Sequence, residues 1–264
     1  MIVDKAAAVL RKDILTALRY RNGLFMNVVS PAAQLVMFYY LAHAVGPQYK
    51  PDGMSYFVFL LIGTGFYTFL LTGIHSFFQI IQESQQAGTL EVLMTTATPV
   101  PVLLGLSAMS AFAGGFVQLL LYTAGGVLIF RPQLHVNGAA CAAVFALSLL
   151  IAVAIGMLAA GLQIAVHKGT AALWLFGSSA WLLAGTLFPV SVLPRPVQIL
   201  AQLMPITHAL SGMRMAMLNQ AGTTPVMHEI EALVLFSALL LPASLLFLGW
   251  TLRRARQFGT LSFY

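Results

Sequence analysis

Charged residues are scarce in this chain of 264 residues: Asp, Glu, Lys and Arg make up 8% of it, and 59% is hydrophobic. In soluble domains about a quarter of the residues are charged. The mean hydropathy of +0.89 agrees with the low charge, and the two together exclude a water-soluble globular protein. Six membrane crossings of about 20 residues each would use about 120 residues, which leaves no room for a separate soluble domain.

Other absences in the sequence limit the chemistry that this chain can perform. Cys141 is the single cysteine, so no disulfide can form within the chain. No glycine is followed by lysine, so the phosphate-binding loop that an ATP-hydrolysing chain needs is missing. Among the six histidines only His228 has a carboxylate at helical spacing, that of Glu231, and we interpret the histidines as solvated residues at membrane edges. We therefore expect no catalytic residues, no metal site and no cofactor in this chain.

The gaps between charged residues locate the membrane spans, since an ionised side chain at the bilayer centre costs about 2.5–3.5 kcal/mol. Six such gaps predict an all-α integral membrane protein with a single transmembrane domain. The predicted spans are residues 24–45, 56–81, 102–130, 139–166, 171–192 and 232–252. The gap between Glu91 and Arg131 is too long for one span, and Pro99 and Pro101 are expected to break it.

The distribution of Lys and Arg predicts the orientation. With six crossings, nine basic residues fall on the side of the two termini and four on the other, so both termini are expected in the cytoplasm.

Residues 1–23 have apolar positions at three- and four-residue steps, which predicts a helix lying in the membrane interface. Residues 253–264 are expected to form a cytoplasmic tail. A cleavable signal peptide is the alternative for the N-terminus, but Asn27, Pro31 and Gln34 favour an uncleaved first span.

The connection after the second span, residues 82–99, carries the most information. Gly88 and Thr89 are expected to end one helix and begin another, with Thr89 as a possible N-cap. In the short helix that follows, three apolar residues share one face and an acidic residue lies near the start. The residues that form this pattern are Leu90, Leu93, Met94 and Glu91. Such a helix fits a groove on another protein, or equally rests on the membrane surface.

This connection resembles a known family. Glu83, the run Gln-Ala-Gly-Thr-Leu-Glu at 86–91 and the Thr-Pro pair at 98–99 resemble the first cytoplasmic loop of ABC-2 type permeases. Further on, Gly-Thr-Leu-Phe-Pro at 185–189 and Met-Pro-Ile-Thr-His-Ala-Leu at 204–210 resemble that family's segment between its fifth and sixth spans. The order of these motifs relative to the predicted spans covers nearly the whole chain.

The resemblance implies the membrane subunit of a bacterial ABC exporter in the inner membrane. Residues 88–96 would then be the coupling helix that receives motion from an ATP-binding subunit. Mg-ATP would be bound on that separate partner, present in two copies, and the permease would pair with a second, identical or related permease. The residues expected at the contact with the ATP-binding subunit are Glu83, Gly88, Thr89, Leu90, Glu91, Leu93 and Met94.

The segment between the last two predicted spans, residues 193–231, is too polar and too interrupted to cross a bilayer. It is expected to form short outer-leaflet or re-entrant helices, which survive only where protein or water covers their backbone. Its function is either an extracellular gate or a plain lid on the fold. The residues assigned to this gate are Gly185, Phe188, Pro189, Leu193, Pro194, Pro205 and Arg214.

Small residues recur every four positions in the fourth predicted span, at Ala152, Gly156 and Ala160. A stripe of this kind lets two helices approach closely. It favours packing within the subunit over a contact between two subunits.

Two classes of function follow from the sequence. The first is a permease that moves a hydrophobic, amphipathic or lipid-linked substrate outward with energy from a partner ATPase. The alternative is an ion-coupled carrier or a polytopic membrane enzyme that works without such a partner. A carrier needs ionisable residues near mid-membrane, and the predicted spans have none. Homodimer or heterodimer, and the identity of the substrate, stay open at this point.

Overall fold

The computed structural model describes residues 21–89, 100–131, 136–166, 170–218 and 223–258. Across these ranges the regular structure is helical and no strand occurs. The helices are α1 (Arg21–Val45), α2 (Tyr56–Gln86), α3 (Val100–Phe130), α4 (Gly138–Val166), α5 (Thr170–Leu183), α6 (Arg195–Gln202), α7 (Pro205–Leu218) and α8 (Thr223–Phe258), with short 3₁₀ turns at Pro51–Gly53 and Val190–Val192.

Four of these helices, α2, α3, α4 and α8, are long and apolar enough to cross a membrane. Two shorter apolar segments, Val29–Val45 in α1 and Trp174–Leu183 in α5, lie between them in the chain. The all-helical prediction is confirmed, and the chain is a multi-pass membrane protein. The count of six spans stays a prediction, and the predicted interfacial helix lies largely outside the described residues.

Two predicted boundaries are wrong. The fifth predicted span was expected to reach residue 192, but α5 ends at Leu183, because the chain turns at Gly185, which has a φ of +76°. The last helix was expected to begin at residue 232 but begins at Thr223. Its first turns include Glu229 and Glu231, so α8 extends beyond the charge-free stretch from which the span was deduced.

The helix at the centre of the bundle is α2. In its most apolar 18-residue window 83% of the residues are buried, against 22% for α3, 39% for α4 and 22% for α8. It packs against α3 and α4 along its length and also contacts α1, α5 and α7. The lower burial of α3 and α8 leaves large apolar side chains exposed on both helices, as expected for surfaces that face lipid or another subunit.

Glycines on α2 allow its neighbours to come close. A Cβ atom added at Gly73 would lie 1.9 Å from the ring of Phe112 on α3. At Gly65 the added atom would lie 2.9 Å from Tyr122, also on α3. A larger residue at either position would require the facing ring to move.

The small-residue stripe of α4 lies in the interior of the subunit. Ala152 and Ala160 are almost fully buried, and a Cβ atom added at Gly156 would lie 2.4 Å from the ring of Phe77 on α2. On another side of α4, Gly161 lies against Phe247 of α8. The stripe therefore contacts α2 within the same chain.

We expect Gly156→Ala to lower the thermal unfolding midpoint of the detergent-solubilised protein. The added methyl group overlaps the Phe77 ring, and overpacking of this kind costs about 1–3 kcal/mol. Gly114→Ala is the matched control, since nothing lies within 4 Å of a Cβ atom added there. Equal midpoints for the two variants would contradict the close packing of α2 and α4.

Candidate functional site

The sequence predicts contacts at two places, and the structure puts them at opposite ends of α2. The C-terminal end of α2 leads into the predicted coupling helix; we call it the Gly88 end. Near the N-terminal end of α2 lie the turn before it, residues 46–55, and the segment from 184 to 214 with the start of α8; we call this the Arg214 end.

At the Gly88 end, α2 ends in a Schellman motif. The amide of Thr89 donates to the carbonyl of Ser84 at 2.9 Å, and the amide of Gly88 donates to the carbonyl of Gln85 at 3.2 Å. Gly88 has a φ of +65°, the left-handed conformation that this motif requires and that glycine adopts without strain. The chain therefore leaves the helix axis at Gly88, as the sequence predicts.

Three of the predicted contact residues are described, and all three are exposed. Glu83 lies on the last full turn of α2, and Gly88 and Thr89 form the turn after it. Their exposure leaves them accessible to a partner. The remaining predicted contacts, Leu90, Glu91, Leu93 and Met94, lie outside the described residues.

A buried polar pair that was not predicted from the sequence supports this end from inside. The side-chain amide of Gln163 on α4 donates to the Gln85 side-chain oxygen on α2 at 3.1 Å. Both side chains are almost completely buried. A buried amide is costly unless it is hydrogen-bonded, so the pair fixes the register of α2 against α4. The signal for this pair in the sequence is Gln163 itself, a glutamine in the largely apolar run of residues 139–166.

At the Arg214 end, the predicted gate residue Arg214 is 4% exposed. Its Nη2 donates to the carbonyls of Phe59 on α2 and Thr186 in the turn after α5, each at 3.2 Å. The guanidinium carbon lies 3.5 Å from the centre of the Phe59 ring, which is a cation–π contact. Arg214 therefore joins α7 to both α2 and the turn after α5.

The close approach of Arg214 to α2 depends on a glycine. A Cβ atom added at Gly63 would lie 1.9 Å from Nη2 of Arg214. Burial lowers the pKa of Arg214 to about 9 and the charge of Asp52 opposes this effect, so the guanidinium stays charged at neutral pH. A buried charge needs compensation, and here two carbonyl groups and an aromatic face provide it.

Some of the other predicted gate residues lie near Arg214. Gly185 precedes the carbonyl that Arg214 binds, and Pro189 lines the same cavity as Arg214. Phe188 is partly buried nearby in the chain. The remaining residues have structural roles: the carbonyl of Leu193 accepts a hydrogen bond from Gln198, Pro194 precedes α6, and Pro205 begins α7 beside an apolar cavity.

A second polar cluster at this end involves His208, for which the sequence predicts a solvated position. That prediction is wrong, because His208 is only partly exposed and both ring nitrogens face acceptors. Nδ1 lies 2.6 Å from the Glu229 carboxylate on α8, and Nε2 lies 2.8 Å from the carbonyl of Gln202 on α6. Two acceptors require two N–H donors, which only the protonated imidazolium has. His208 thus connects α6, α7 and α8.

The hydrogen bond to Glu229 raises the pKa of His208 above its ordinary value; burial opposes this rise, and the bond to Gln202 adds to it. Because the folded-state pKa is raised, the stabilisation is fully present below the unfolded-state pKa of about 6.5. It is lost as the pH rises through the folded-state pKa. The other titratable groups that line the neighbouring cavity are Asp52, Arg214 and His228.

We therefore expect the thermal unfolding midpoint of the protein to fall as the pH is raised from about 6 towards 9. Glu229→Gln should flatten this part of the profile, since it removes the carboxylate that holds the proton on His208. Glu231→Gln, on the same helix but exposed, serves as the control and should keep the wild-type profile. A profile unchanged by Glu229→Gln would contradict the charged pair.

The bundle of apolar helices, four of which are long enough to span a membrane, is that of a multi-pass membrane protein. Comparison with known sequences identifies its family. Residues 5–218 match the family model of the ABC-2 type transporter. Because this match covers most of the chain, the chain belongs to the ABC-2 type transporter family. It is thus the membrane transport subunit of an ABC transporter, a family whose members work with ATP-binding subunits.

One relative supports this assignment. Nodulation protein J of Sinorhizobium fredii (strain NBRC 101917 / NGR234) is 29% identical to the chain over 203 residues. The alignment covers 72% of this chain and 72% of that protein. The family predicted from the two motif regions is confirmed.

Proposed function

We propose that the chain is the permease subunit of an ABC exporter, which moves a hydrophobic, amphipathic or lipid-linked substrate outward with energy from a separate ATP-binding subunit. The match of residues 5–218 to the ABC-2 type transporter family carries this proposal. The missing phosphate-binding loop in the sequence supports a separate chain as the site of Mg-ATP hydrolysis.

The Gly88 end is the proposed contact with the ATP-binding subunit. Its exposed residues lie directly before the apolar and acidic pattern of residues 90–94, and the buried Gln85–Gln163 pair gives that contact a rigid base. A partner that pushed on residues 88–96 would act on the helix that forms the centre of the bundle. The Arg214 end is the proposed outer gate.

We further propose six spans with both termini in the cytoplasm of a bacterium, and two permease subunits, identical or related, in one complex with two ATP-binding subunits. Large apolar side chains on α5 are exposed in the single chain: Trp174 is 71% exposed and Leu175 is 64% exposed. Their exposure supports a surface that is covered in the membrane or in the complex. Side chains of this size are expected to face lipid or a second permease subunit.

The partner is tested by purifying the tagged chain from detergent-solubilised native membranes, with mass spectrometry and an ATPase assay. We expect an ATP-binding subunit to co-purify with the wild-type chain and to be lost from a Glu91→Arg, Leu93→Asp double variant. Glu231→Arg, a charge reversal near the Arg214 end, should keep the partner. A folded wild-type chain that brings no ATPase would exclude the proposal and favour a carrier or enzyme.

The orientation is tested by cysteine labelling, since Cys141 is the only native cysteine. In a Cys141→Ala background, Ser191→Cys should react with a membrane-impermeant maleimide added to intact spheroplasts. Glu83→Cys should react only after permeabilisation, because the Gly88 end is expected in the cytoplasm. Both positions are exposed in the structure. The reverse pattern would place the proposed ATPase contact on the wrong side of the membrane.

A further inference from the structure

A polar cavity of about 410 Å³ lies at the Arg214 end. This volume is within the range of about 300–1,000 Å³ that is typical of small-molecule sites. The turn before α2, the segment after α5, α7 and the first turns of α8 all contribute to its wall. Among the polar residues that line it are Asp52, Gln202, Thr207, His208, Arg214 and Glu229.

Two residues of this wall each carry a buried polar group with unused hydrogen-bonding capacity. The Nε of Arg214 and the hydroxyl of Thr207 have no hydrogen-bond partner among the described residues. Both side chains are more than nine-tenths buried. Buried polar groups are normally paired, and a guanidinium has five N–H donors in a planar arrangement that matches a carboxylate or phosphate.

The charges in the wall leave Arg214 as the cation available to a ligand. His208 is held by Glu229 at 2.6 Å, so the charges of these two residues offset each other. Asp52 also lines the cavity, but within the described ranges no ion pair joins it to Arg214. A ligand with an acidic group can therefore approach Arg214 without displacing an existing ion pair.

An apolar cavity of about 490 Å³ adjoins the polar one at the turn between α6 and α7. Leu203 and Ile206, in this turn, line the apolar cavity, whereas Gln202 and Thr207, next to them in the chain, line the polar one. The rings of His208 and Phe236, from the walls of the two cavities, have their centres 5.6 Å apart. Polar and apolar surfaces thus adjoin at one turn, as an amphipathic molecule requires.

We propose that the polar cavity around Arg214 binds the acidic head group, a phosphate or a carboxylate, of an amphipathic molecule whose hydrocarbon part lies against the adjoining apolar cavity. Arg214 and Thr207 supply the donors to the acidic group, and Phe236 contacts its hydrocarbon part. The inference rests on the proposed function and deepens it, because it names the chemical class of the molecule at the outer gate.

The test uses the purified full-length chain in detergent and three probes at matched concentrations: dioctanoyl phosphatidic acid, dioctanoyl glycerol and inorganic phosphate. Binding is measured as the concentration-dependent rise in the thermal unfolding midpoint. Phosphatidic acid should stabilise the protein at lower concentrations than either other probe, since it alone carries both the acidic group and the tails. Equal stabilisation by dioctanoyl glycerol, or by inorganic phosphate, would overturn the proposal.

Variants assign the site. Arg214→Gln should weaken the apparent affinity for phosphatidic acid by about tenfold or more, because it removes a charged donor. Arg195→Gln, which removes an exposed arginine outside the cavity, should leave it unchanged. Since Arg214 also joins helices, Thr207→Val provides a second variant of nearly the same shape. It should weaken binding by about three- to tenfold.

Wild-type affinity in Thr207→Val and in folded Arg214→Gln would overturn the assignment to this cavity. The binding assay contains no ATP-binding subunit, so its outcome is independent of the co-purification experiment. A wild-type chain that brings no ATPase but binds phosphatidic acid would therefore refute the proposed function. A wild-type chain that brings the ATPase but does not bind phosphatidic acid would refute only this inference.

Discussion

The close packing around α2 is the constraint on which the rest of the structure depends. Between membrane helices there is no water to exclude, so association relies on van der Waals contact and a few hydrogen bonds. Helix α2 meets this requirement with glycines that face aromatic rings on α3 and with rings that face glycine on α4. Because several neighbours contact α2 at once, its position fixes theirs.

At the two ends of this apolar bundle, polar contacts join separate segments of the chain. Gln85 and Gln163 join α2 to α4. Arg214 joins α7 to α2 and to the turn after α5. A hydrogen bond in a dry environment holds its partners in one geometry, since the alternative is an unpaired buried group. These hydrogen bonds fix the register of the helices, whereas the apolar contacts supply most of the attraction between them.

Much of the fold could be predicted because charge is costly in a membrane: the gaps between charges located the apolar helices. They could not locate where α5 ends, because the turn at Gly185 interrupts an apolar stretch. Nor could they locate where α8 begins, because that helix extends past its charge-free stretch. Arg214 was predicted as a gate residue, but its buried setting depends on Gly63 and Phe59, which lie about 150 positions earlier in the chain. The His208–Glu229 pair was missed for the same reason: one sequence does not reveal which distant residues meet.

Helix α2 carries the Schellman turn at one end and the carbonyl of Phe59, which Arg214 binds, near the other. It has 31 residues and no internal proline, so at about 1.5 Å per residue it is a continuous rod of about 46 Å. A force applied beside Gly88 cannot shift one end of such a rod without displacing the other, unless the helix bends. Movement of α2 at Gly88 is therefore accompanied by movement at the carbonyl that Arg214 binds.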